Sequence, residues 1–155
     1  MDENTRAVRD LLTSQRVLAL GLIVDGAPLV SLLPYALADD FSTAYVHASQ
    51  LARHYRALAQ GGAFSALIHA DDDPEQDALQ VPRLTINGDV VEIERDTPAY
   101  EDARELYVRR FPDSAVTFEL ADFSLFGLKF RDGRFVQGFA RTWNVSLHQF
   151  KQMAQ

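Results

Sequence analysis

Apolar and polar residues alternate along Thr43–Ala48, with Thr43, Tyr45 and His47 on one side and Ala44, Val46 and Ala48 on the other. That is the period-two pattern of a strand. The period then changes. Leu51, His54, Tyr55 and Leu58 fall on one face of a helix predicted over Gln50–Gln60, with Ser49 as its N-cap and Arg53 and Arg56 beside that face. A strand that feeds a helix N-terminus presents unpaired amides, and here two arginines and a histidine stand close to them. The stretch reads either as an ordinary capped helix or as the phosphate end of a ligand site.

The remaining pattern predicts an antiparallel order. A first helix runs to about Thr13, capped by Asp2 or Asn4, with Ala7, Val8, Leu11 and Leu12 as its stripe. Val17–Val24 is apolar on both sides and reads as a strand buried on both faces. Asp25-Gly26 tolerates positive φ and predicts a two-residue hairpin into Leu29–Tyr35, where Pro34 marks an edge or bulge. With Thr43–Ser49 as the third strand, this is a meander. Gly61-Gly62 ends the short helix, and Ala63–Ala70 and Arg83–Glu94 follow as strands, the second with a turn or bulge at Asn87-Gly88. A helix over Ala99–Phe111 opens at Asp96 or Thr97 and stops at Pro112. Phe118–Phe130 reads as a strand, Asp132-Gly133 as a second hairpin into Arg134–Phe139, and the tail from Trp143 as a closing helix. About seven strands and three or four helices make a single α+β domain built on a barrel, residues 1–155.

Composition narrows the chemistry. Across 155 residues a formal charge of −7 leaves no broad basic surface for nucleic acid, although one local basic pocket is compatible with it. The chain has no cysteine, so a thiol nucleophile, a disulfide and a thiolate metal site are excluded. No secretory signal or apolar run of membrane-spanning length is visible, and the expected location is the cytoplasm. His47, His54, His69 and His148 show none of the spacings of a zinc site, so no metal site is expected. The serines lack a GxSxG elbow, and neither GxGxxG nor a P-loop occurs. What remains is a binding pocket, with Ser31 and Tyr35, His47 and Ser49, and Arg53 and His54 converging if the second and third strands pair.

The ordered segments DGAPLVSLLPYALADD, VHASQLARHYRAL, PRLTINGDV, YVRRFPDS, ADFSLFGLKF and FVQGFAR resemble the pyridoxamine 5'-phosphate oxidase-like FMN-binding split barrels. The resemblance is nearest to their haem-utilisation branch. It covers roughly residues 5–145 and implies a split β-barrel homodimer with flavin sites between the subunits. By the matched motifs, Ser31, Pro34 and Tyr35 line the flavin, Ser49, Arg53 and His54 hold its phosphate, and Arg83 opens the strand that carries R-L-T. Tyr55 and Ala57 stand where the family has threonine and asparagine, and the arginine-rich substrate motif of the oxidase itself is absent. The expected cofactor is FMN, with haem or a deazaflavin as alternatives, and the expected activity is flavin-dependent oxidoreduction of a small molecule. The alternative is a haem or flavin carrier, in which His47, His69 or His148 offers an axial nitrogen.

Overall fold

Asp25 and Gly26, at φ 51° and 79°, close the first hairpin as their chemistry predicts, joining β1 (Val17–Val24) to β2 (Ala27–Pro34) in full antiparallel register. The computed structural model describes all 155 residues. Proline and a break at Tyr35 then take the chain away from that hairpin. β3 (Ala36–Leu37) and β4 (Thr43–Ser49) pair with each other at the opposite end of the sheet. The expected meander is therefore corrected: β2 pairs only with β1, and β4 lies between β3 and β7.

The other strands are β5 (Gly62–His69), β6 (Arg83–Ile93), β7 (Phe123–Gly138) and β8 (Arg141–Ser146). The sheet order is β2-β1-β5-β6-β7-β4-β3, with β8 on β7 and every pairing antiparallel. Its two ends are joined in sequence but not by a ladder, which is the split in the barrel.

Two glycines explain where sequence reading and structure part. Gly88 sits at the β6–β7 register shift, and a Cβ there would stand 1.8 Å from the Lys129 carbonyl oxygen, so Asn87-Gly88 is a bulge. Asp132-Gly133 is not a hairpin, because β7 runs straight through it. Gly133 instead leaves room for the Phe150 ring, which would lie 2.9 Å from an added Cβ. The actual turn comes at Phe139-Ala140, with Ala140 at φ 61°. The tail is likewise β8 followed by a helix, and Phe118 belongs to a short helix before β7.

Five helices complete the chain: α1 (Glu3–Ser14), α2 (Arg53–Gln60), α3 (Pro98–Arg110), α4 (Ala115–Phe118) and α5 (Leu147–Gln152). Asp2 caps α1 through Thr5 N–H, and Thr97 caps α3 through Tyr100 N–H. α1, α2 and α5 bury Val8, Leu12, Ala57, Leu58 and Phe150 against the inner face of the curled sheet. α3 and α4 form a second, smaller cluster on the outer face at the β4–β7 end, through Tyr100, Ala103, Tyr107 and Phe118. No helix is long and apolar enough to cross a membrane.

Candidate functional site

The α2 start is built differently from the expectation. Ser49 ends β4 and does not cap the helix, which begins at Arg53 with Ala52 as a cap lacking a side-chain bond. Ser49 Oγ accepts from Leu51 N–H at 3.2 Å and donates to Asp122 Oδ2 at 3.1 Å. Gln50 N–H donates to the Asp122 carbonyl at 2.7 Å, so this turn is stapled to the entry of β7. Leu51, expected on the buried face, is 90% exposed. Arg53 is exposed and enters no ion pair, whereas Arg56 pairs with Asp25 at 3.1 Å. His54 is half-buried, and that burial lowers its pKa. The two departures from the family pattern serve packing. Ala57 lies wholly in the core, where an amide would be buried, and Tyr55 packs edge-on to Phe126 at 5.8 Å with its hydroxyl 3.5 Å from Ser124 Oγ.

Of the other expected residues, Ser31 is half-buried on β2, against which α2 packs. Pro34 is exposed at the strand end. Tyr35 is in the core, its hydroxyl donating to the Leu12 carbonyl at 2.7 Å, with its pKa raised by burial. Arg83 alternates with buried Leu84 and so lies on the outer face, opposite α2; Nη1 donates to the Leu79 and Val81 carbonyls, each at 3.1 Å. The structure thus brings Ser49, Arg53 and His54 to one turn and places Tyr35 and Arg83 elsewhere.

Three histidines are candidate ligands to iron, and their surroundings separate them. His47 stacks on Phe118 at 3.9 Å and 8°, flanked by Phe123 and Tyr107. Thr117 Oγ1 gives its proton to the Ser114 carbonyl, so it accepts from His47 Nδ1 at 3.3 Å, and His47 Nε2 is buried without a partner. Burial, with Arg95 adding repulsion, pushes the His47 pKa down to about 4. His148 Nε2 lies 3.1 Å from Gln152 Nε2 on α5. His69 ends β5 on the outer face, exposed, and its Nδ1 is 2.7 Å from the Ala70 carbonyl oxygen. A carbonyl only accepts, so Nδ1 carries the ring proton and Nε2 keeps a free lone pair.

Around His69 the outer face of β2-β1-β5 is apolar and bare. Val30 is 70%, Leu32 69% and Ile23 57% exposed, and Leu32, Ala19 and Leu67 share one cross-strand row. Gly21 leaves the next row flat, since a Cβ would stand 3.1 Å from the Ser65 carbonyl oxygen. The sequence predicts β1 buried on both faces; within the chain it alternates, and only Leu18, Leu20 and Leu22 are buried. The signal for this face was present in the sequence as apolar residues at its outward positions. His69 pairs with Arg83 across β5–β6, so an imidazole and a guanidinium border the same surface.

No family model matches the chain. Haem oxygenase HutZ from Vibrio cholerae is 26% identical over 141 residues, 90% of this chain and 79% of its own length. A haem-binding protein from Mycobacterium smegmatis superposes with a TM-score of 0.84 at 24% identity over 98% of this chain, which spans 61% of that protein's length. A pyridoxine phosphate oxidase family protein from Clostridium acetobutylicum, related to general stress protein 26, superposes with a TM-score of 0.69 at 11% identity over 97% of this chain and 99% of its own. At such identities the superpositions establish the shared fold. The chain is an α+β split barrel, a fold it shares with the clostridial pyridoxine phosphate oxidase family protein and the mycobacterial haem-binding protein, and its sequence is similar to that of HutZ.

Proposed function

We propose that this protein binds haem on the bare outer face of β2-β1-β5, as one of two copies that pair through that face. The carrying observation is His69. Its Nδ1–H is committed to the Ala70 carbonyl and its Nε2 is exposed and free, which is the tautomer and orientation an iron ligand requires. Leu67, Leu32 and Val30 offer an apolar floor to a porphyrin. Arg83, whose Nη1 is held by two carbonyls, keeps its other N–H groups for a propionate. Haem supplies whatever redox chemistry follows; the chain supplies a nitrogen, a floor and a cation. The names of HutZ and of the mycobacterial haem-binding protein point the same way.

Arg53 favours a second reading. It is an unpaired cation at the first turn of α2, beside the Ser49 turn, and the family resemblance assigns the phosphate of FMN, or of a deazaflavin, to that place. Bound there, a flavin would make the protein an oxidoreductase of a small molecule.

Separate hemin and FMN titrations distinguish the two. The haem reading expects a Soret shift that His69→Ala abolishes and Arg53→Ala leaves intact. The flavin reading expects FMN fluorescence quenching that Arg53→Ala weakens by roughly ten- to a hundredfold and His69→Ala leaves intact. No Soret shift, or one indifferent to His69, overturns the haem assignment.

A further inference from the structure

A cavity of about 420 Å³ opens between the C-terminal end of α1, β3 and α3, away from both sites above. That is within the range of small-molecule pockets, roughly 300–1,000 Å³. Its walls are mostly apolar, formed by Leu12, Ala36, Leu37, Phe41 and Leu106, and the ring of Tyr35 adds to them, since its hydroxyl is spent on the Leu12 carbonyl.

Two features show that the walls are held in place before any ligand arrives. Phe41 has a left-handed backbone, φ 58°, which costs a residue with a Cβ roughly 1–2 kcal/mol. The turn is stapled by Phe41 N–H to the Ala38 carbonyl and by Asp40 Oδ1 accepting from both N–H and Oγ–H of Ser42. The Arg9 guanidinium lies 5.9 Å from the Phe41 ring centroid and covers its other side. At the mouth, Arg110 Nη2 donates to the Thr13 and Gln15 carbonyls at 3.2 and 2.7 Å, which fixes a guanidinium that enters no ion pair. Arg109 is beside it, engaged with Glu105, and Asp39 is the single carboxylate on the rim.

We propose that this cavity binds a small carboxylate with an apolar, ring-sized body. The body would enter the Leu12–Phe41–Leu106 walls, and the acid group would take the remaining donors of Arg110 in a charge-assisted pair. Asp39, the one carboxylate of the lining, repels an acid group brought close to it. The haem reading does not bear on this site, and Tyr35, which the resemblance sets against a flavin, here lends its ring to the cavity wall.

Methyl-region NMR titrations with 3-phenylpropionate, 3-phenylpropan-1-ol and 3-phenylpropylamine test the assignment. The acid is expected to shift Leu12, Leu37 and Leu106 methyls and to bind roughly ten- to a hundredfold more tightly than the alcohol, since it alone gains the charge-assisted bond. Asp39→Asn is expected to tighten the acid further, and Leu106→Trp, which fills the cavity, to abolish its binding. Should Leu106→Trp fail to fold, the wild-type shifts still decide. Shifts confined to other surfaces, no binding by the acid, or an amine binding as tightly as the acid each overturn the proposal.

Discussion

The outer face of the curled sheet is finished at one end and left open at the other. At the β4–β7 end, α3 and α4 lay Tyr107 and Phe118 over the sheet, and Leu125, Phe126, Gly127 and Leu128 of β7 are all buried, so both faces of that strand are covered. At the β2–β1–β5 end an equally apolar strand, VLALGLIV, buries only its inner side, and Val30 and Leu32 beside it remain largely exposed. The two histidines report the difference. His47, under Phe118, is a neutral ring with a stranded nitrogen; His69, in the open, commits Nδ1 to the Ala70 carbonyl and leaves Nε2 unengaged. Uncovered apolar faces of this kind are where second molecules dock, and that is the ground on which haem and a second copy are proposed for it.

The largest expected effect comes from unroofing the covered end. Phe118→Ala removes the ring stacked on His47 and should destabilise the fold by about 3–5 kcal/mol, read as a lower denaturation midpoint. Hydration should at the same time raise the His47 pKa from about 4 towards its ordinary value, visible in an NMR titration of the ring. If the midpoint hardly moves, the two ends do not differ in the way claimed.

Acid acts on the same end. The folded pKa of His47 lies below its unfolded value of 6.5, so between pH 6.5 and about 4 the unfolded chain binds the extra proton. The stability contributed by the neutral ring is therefore complete above pH 6.5 and is lost as pH falls towards about 4, a loss of about 2 kcal/mol. His47→Phe keeps an aromatic ring in the box and removes the orphaned nitrogen, and it should flatten the stability–pH profile across that window. An unchanged slope would assign the acid sensitivity to other groups.

The smallest effect on folding belongs to the bare end. Val30→Ser with Leu32→Ser should alter the stability of the isolated chain by no more than about 0.5 kcal/mol, because these side chains touch little within it. The same pair should weaken self-association in sedimentation equilibrium and reduce hemin uptake. A large loss of stability in dilute solution would show the face to be supported from within the chain.

What could be read from the chain was local chemistry with a short range. The Asp25-Gly26 hairpin, the Asp2 and Thr97 caps, the Gly61 helix end and the strand periods depend on dihedral preferences and on neighbours a few residues away. Two readings show where that range ended. Ser49 has the right chemistry for a cap, yet Asp122, 73 residues on, takes its hydroxyl. Asp132-Gly133 is the same dipeptide as the first hairpin, yet its glycine answers the ring of Phe150, so the strand continues.

The sequence by itself determined the class of fold, the order of its motifs and the apolar character of both faces of β1. Tertiary structure alone decided which faces are covered, that Tyr35 braces α1, that Arg83 stands with His69 across the sheet from Arg53, and which histidine nitrogen is free. Those outcomes rest on partners brought together from distant segments, and a one-dimensional pattern records a residue's polarity without recording which neighbour will satisfy it.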